Sequence, residues 1–255
     1  MNATIWALPL SFGVFVAITV LLDVGYRLGR RHSESLAHEG IGAIEAAVFG
    51  LLGLLLAFSF AGGTSRLDLR RQLIVEEANA IGTAYLRLDL LAAADQAEMR
   101  RLFREYLDSR LRVYQKLPDL PAAEQEMEHA AGIQQKIWSG AVAASRTDNT
   151  SAIAIVLLPA LNQMIDITTS RSVALRTHLP SLILNLLIAV ALLSAFLAGY
   201  AMAKRRSRSW LHILVYALSI TFTIYTVIDL DYPRSGLIRL EAADNALAKL
   251  RDSIR

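Results

Sequence analysis

With 255 residues and a formal net charge of +3, the chain is long enough for one sizeable core, yet its apolar residues are gathered into four runs. The charge comes from short loops, and the stretch from Gly63 to His178 is nearly balanced, which leaves no nucleic-acid footprint. There is no cysteine, so disulfides, zinc–thiolate sites and thiol catalysis are excluded together.

In chain order the runs are Ile5–Leu22, Ile41–Ala61, Leu179–Ala203 and Trp210–Ile228. Each is close to the ~20 residues needed to cross ~30 Å of hydrocarbon at ~1.5 Å per residue. The first lacks a basic leader and is followed by Asp23–Arg31 without a small-residue cleavage site, so it reads as a retained anchor rather than a signal peptide. The pattern predicts an all-α membrane protein with a four-helix water-exposed domain inserted between the second and third spans. A first transmembrane pair occupies 1–62, the helical domain 63–178, a second pair 179–229 and a partly helical tail 230–255.

Two loops set the sidedness. Arg27, Arg30 and Arg31 follow the first span, and Lys204-Arg205-Arg206-Ser207-Arg208 joins the third to the fourth. Basic loops prefer the cytoplasm, which places the helical domain and the tail outside. Arg66, Arg70, Arg71, Arg171 and Arg176 flank the other face and pull the opposite way.

The second span carries two stripes. At about 100° per residue, Gly42, Ala46, Gly50, Gly53 and Ala57 share one narrow face. Small residues let helix backbones approach closely in lipid, either within the chain or between subunits around an axis. Beside them lie Glu45, Phe49, Leu52, Leu56 and Phe60. Lining a pore, Phe49 to Phe60 would form an apolar constriction that gates by dewetting. Alternatively Glu45 sits at the headgroups and the large residues face lipid. On a pore axis, Glu45 would favour cations.

The helical domain opens with Ile74, Ala78, Ile81, Tyr85 and Leu88 in one apolar stripe. Asp95 is expected to cap a second helix carrying Met99, Leu102, Phe103, Tyr106 and Val113. A break at Leu117–Pro121 opens a third helix running to about Ser145, and Asp148-Asn149-Thr150 caps a fourth, which Pro159 should kink. With no flexible linker at either boundary, the second span and the last domain helix are expected to run on unbroken, the latter through 176–180.

The fourth span bears a polar stripe of His212, Tyr216, Ser219, Thr223 and Thr226, which reads as hydroxyls bonded to their own backbone or a neighbouring helix, or as a hydrated path. After it, Asp229 and Asp231 flank a proline–glycine turn. They offer two of the six to eight oxygens that calcium takes; a solvated turn is the other reading. Catalytic constellations are missing. His32, His38, His129, His178 and His212 lack metal spacing, and Gly50-Leu51-Leu52-Gly53 lies inside a span rather than in a phosphate loop. Glu76 and Glu77 point to different helix faces, with Arg70 or Arg71 as a surface partner of little worth. The chain reads as a non-enzyme.

Several segments carry a resemblance: Leu51–Phe58, Arg66-Leu67-Asp68, Arg70–Leu73, Glu77–Arg87, Tyr106–Arg110 and Asp229–Gly236. Together they resemble the bacterial family with a bestrophin-like domain, over almost the whole chain and most specifically at Glu77–Arg87. The resemblance implies a bacterial plasma-membrane protein, distantly akin to the homopentameric bestrophin anion channels, whose second membrane helix supplies an apolar neck. It also implies a cytoplasmic insert and tail, opposite to the charge pattern. The leading reading is therefore an oligomeric ion channel passing anions, with the lipid bilayer, inorganic ions and its own copies as partners and no cofactor beyond the calcium considered above. The alternative is a non-conducting sensor or scaffold signalling through its helical domain. A transporter ranks last, because no inverted repeat or broken-helix pair is visible.

Overall fold

A computed structural model describes residues 3–31, 41–116, 119–147, 153–203, 209–233, 236–238 and 240–254. Outside these lie His32, His38, Leu117, Pro118, the 148–150 cap, the basic loop 204–208, Arg234 and Ser235. All regular structure among the described residues is helical. The chain divides into two compact units, one built from Ala3–Arg66 and His178–Leu237, the other from Leu67–Thr177 and Ile238–Arg255.

The first unit holds α1 (Ala3–Arg31), the start of α2 (Ile41–Leu86), α6 (Ser181–Met202) and α7 (Trp210–Asp231). All four are long and apolar enough to cross a membrane, with windows of mean hydropathy from 1.9 to 2.5. α1 packs along both α6 and α7, burying Val14, Ile18 and Leu22 with Leu187, Ala191, Ala195, Ala217 and Ile224. Close approach is made by glycine. A Cβ on Gly25 would overlap the Phe196 carbonyl oxygen, and one on Gly199 would overlap that of Leu22. A Cβ on Gly29 would likewise come within 2.7 Å of the Tyr200 carbonyl oxygen. Backbones this close gain dispersion contacts that replace the missing hydrophobic drive in lipid. α2 is the outlier: 11% of its most apolar window is buried, against 22–33% in the other three spans.

α2 is helical without a break through Gly62 and Gly63, where the glycine leaves room for Leu230, 3.1 Å from its Cβ position. The expected continuation through 176–180 does not occur. Helix α5 (Leu158–Arg176) stops there, Thr177 turns extended, and α6 begins after Pro180. The residue before a proline avoids the helical region, so Leu179-Pro180 is a natural break.

The second unit contains the rest of α2, a 3-10 turn (Arg87–Leu90), α3 (Ala93–Lys116), α4 (Leu120–Thr147), a π turn (Ile153–Leu157), α5 (Leu158–Arg176) and α8 (Glu241–Ser253). The periodic stripes on α2 and α3 are its core: Ile81, Leu88, Phe103, Tyr106 and Val113 are fully buried. Asp95 is not a cap, because α3 already starts at Ala93; it stands in the first turn, where its charge meets the helix dipole favourably. Asp119 does cap α4, accepting the Ala122 N–H at 3.4 Å ahead of Pro121. Pro159 sits in the first turn of α5 behind the π turn. A wider π turn accommodates the lost amide and the bulk of the ring, so the expected kink is a change of helix type. Arg87 reinforces it, donating to the Val156 carbonyl at 2.8 Å. Helix α8 adds a further piece through buried Leu247 and an Arg251–Asp108 pair at 2.9 Å.

Between α3 and α4, Glu126 receives Arg112 at 2.8 Å, Ser109 at 2.9 Å and Lys116 at 3.0 Å. Burial opposes its charge, but the Lys116, Ser109 and Arg112 donors outweigh it and hold the carboxyl at about 2. An unfolded glutamate titrates near ~4.3. This contribution to stability is therefore complete above that pH and is lost as pH falls towards about 2. Thermal midpoints measured across that window should fall, and Glu126→Gln should flatten the fall.

Candidate functional site

On α2 the two stripes have different surroundings. The small face is open: at Gly42, Gly50 and Gly53 an added Cβ would meet no atom within 4 Å, and Ala46 and Ala57 are exposed. Ordinary packing within the chain is therefore not what this stripe does among the described residues. The large stripe is mixed. Leu52 is buried in the apolar core of the first unit with Leu56 packed beside it, Phe49 is half-buried, and Phe60 is 44% exposed. Glu45 is half-buried, and its Oε1 is sealed from solvent with no hydrogen-bond partner among the described residues.

The polar stripe of α7 divides in two. Thr223 and Thr226 donate to the carbonyls of Ser219 and Phe222, at 2.8 and 2.9 Å. These bonds stay within their own helix. The Tyr216 hydroxyl lies 2.6 Å from the Ser194 hydroxyl on α6, and His212 Nδ1 lies 2.6 Å from Ser209 Oγ. Ser219 is exposed.

The acidic turn is folded inward. Asp231 accepts Arg66 Nε at 2.8 Å and the Leu179 N–H at 2.9 Å. His178, stacked on Tyr232 at 4.3 Å, places Nδ1 3.4 Å from the same carboxylate. Asp229 accepts the Leu237 N–H at 3.0 Å. A calcium ion here would have to displace these donors. A Cβ at position 236 would overlap Asp229 Oδ1, so any larger residue there must displace this carboxylate. Gly236→Ala should cost about 1–3 kcal/mol, as overpacking does, read as a lower thermal midpoint of the whole chain.

The most heavily charged site was invisible as such in the sequence. Glu77, fully buried, accepts Arg110 Nε at 2.5 Å and also pairs with Arg171. Tyr114 bridges them, donating to Glu77 at 3.2 Å and accepting from Arg110 at 2.8 Å, while Arg171 lies 4.3 Å over its ring. Among the described residues, the surface pairing expected of Arg70 or Arg71 with Glu76 or Glu77 is not made. Arg70 instead donates to the carbonyls of Ala174, in the last turn of α5, and Thr177, just beyond it, where helix ends leave backbone acceptors to be satisfied, and Arg71 meets Asp68. Glu76 stays exposed and accepts Gln72. Spacing does carry the missed signal. Glu77 lies three residues after Ile74 and four before Ile81, on the buried stripe, and Arg110 is likewise placed between Tyr106 and Val113. Glu77 and Arg110 join two of the segments on which the family resemblance rests.

Four apolar helices of spanning length are compatible with an all-α membrane protein, and among the described residues the fully buried charged side chains lie in the second unit and the acidic turn. The chain belongs to the bestrophin-like family: the model for the Bestrophin-like domain matches residues 13–244. No curated protein and no solved structure matches it.

Proposed function

We propose that this chain forms an oligomeric ion channel that passes anions, with α2 at the contact between copies and beside the conduction path. The observation that carries the reading is the open glycine–alanine face of α2, the least buried span. A helix left this bare within its own chain gains most from a second copy. Phe49 and Phe60 border that face, and with Leu56 they would supply an apolar neck; Leu52, buried in its own bundle, would brace it. Glu45 would stand near one end of the path, where its oxygen, without a partner among the described residues, would modulate conduction. Family membership supports the reading by kinship with bestrophins. Purified protein in planar bilayers, in a chloride gradient, should show currents that reverse near the chloride potential, and Phe60→Ala should raise the conductance. Absence of current together with a monomer in detergent would end the proposal.

A second reading, a non-conducting sensor, draws on a polar cleft of about 440 Å3 between α2 and α5, lined by Glu76, Asn79, Asn162 and Asp166 and bordered by Pro159 behind the π turn. A cationic ligand bound there would raise the thermal midpoint of the intact protein. Titration with calcium or a diamine, in the absence of any current, separates the two readings.

A further inference from the structure

We propose that the polar cleft between α2 and α5 binds a linear aliphatic diamine, with one ammonium at Glu76 and the other at Asp166. This rests on the cleft of the sensor reading and not on its signalling. The two carboxylates belong to different walls, Glu76 to α2 and Asp166 to α5. Neither meets a cation among the described residues. By contrast Glu77, Glu98, Glu105, Asp108 and Glu126 of the same unit each pair with an arginine or a lysine. What holds the cleft carboxylates is a carboxamide of their own helix. Gln72 donates to Glu76 Oε1 at 2.7 Å, and Asn162 donates to Asp166 Oδ2 at 2.9 Å. These bonds orient the side chains and supply no opposite charge. A carboxylate has about four acceptor sites, so both keep room for further donors.

The lining selects the ligand's class. No basic side chain borders the cleft, so an anion would meet repulsion from both walls. A bare metal ion is a poor match. The hollow measures about 440 Å3, within the roughly 300–1,000 Å3 of small-molecule sites. Calcium takes six to eight oxygens, and no group of three or more acidic or histidine side chains among the described residues could gather round an ion. A monoamine answers one wall only. A diamine brings each carboxylate an ammonium with three donors. Ala80, Pro159 and Ile167 line the cleft with apolar surface for the methylenes between them.

Isothermal titration of the whole protein in lipid nanodiscs with 1,4-diaminobutane, butylamine and calcium chloride tests this. The diamine should bind about fivefold tighter than butylamine, the effect of one further exposed ion pair. That preference should shrink in high salt, where exposed charges are screened. Glu76→Gln and Asp166→Asn change exposed side chains and nearly keep their shape, so both variants should fold. Each should bring the diamine down to the butylamine level. Equal binding of the two amines, a diamine affinity unmoved by either substitution, or calcium bound more tightly than the diamine overturns the proposal. A thermal midpoint raised by another cation, with the diamine inert, would keep the sensor reading and sink this one. A diamine bound to a conducting channel would keep this one and sink the sensor.

Discussion

Replacing Glu77 by leucine is expected to destabilise the protein by about 3–5 kcal/mol, the range for stranding buried charge. Arg110 and Arg171 are 7% and 4% exposed, so neither guanidinium can turn to water once its carboxylate is gone. Tyr114 would remain as a ring beneath Arg171 and an acceptor for Arg110, which softens the loss without cancelling a charge. Thermal unfolding of the purified protein reads the effect. A triple variant with leucine at 77 and methionine at 110 and 171 removes the stranded charges and should be more stable than the single variant. If Glu77→Leu melts like the natural chain, the carboxylate does not clamp α2, α3 and α5 together.

The second large effect is expected at Gly199. A valine there drives its Cβ into the Leu22 backbone, and α1 and α6 cannot keep their closest approach. Overpacking of a well-packed core costs about 1–3 kcal/mol and more where the obstacle is backbone. Gly199→Val should therefore lower the amount of folded protein recovered from membranes, seen by size-exclusion chromatography of extracts. Gly53→Val meets open space and should leave the chain folded. On the proposed function it disrupts assembly instead, so the two glycines should separate folding from association.

Much of this was legible because hydrophobic period and length are local properties. The four spans and the buried stripes of α2 and α3 follow from spacing alone, as Ile81 and Phe103 illustrate. Pairing between distant segments was not legible. Glu77 lies 94 residues from Arg171, and nothing in either neighbourhood names the other. The small-residue stripe read on α2 lies on an open face, and the close packing within the chain uses Gly25, Gly29 and Gly199 instead. Gly25 and Gly29 are spaced four apart, and Gly199 continues the buried line of Ala191 and Ala195, so the same rule applied to every span would have found them. Asp229 and Asp231 looked like free oxygen donors, because sequence cannot show that backbone amides and Arg66 already face them.

The most direct measurement is the number of copies in particles excised with native lipid, without detergent, for the natural chain and for Gly53→Leu. The natural chain should form a closed ring of several copies around a central opening, and the variant should lose that ring with its fold intact. A natural chain that is monomeric in its own lipid, with the face from Gly42 to Ala57 turned to acyl chains, would contradict it.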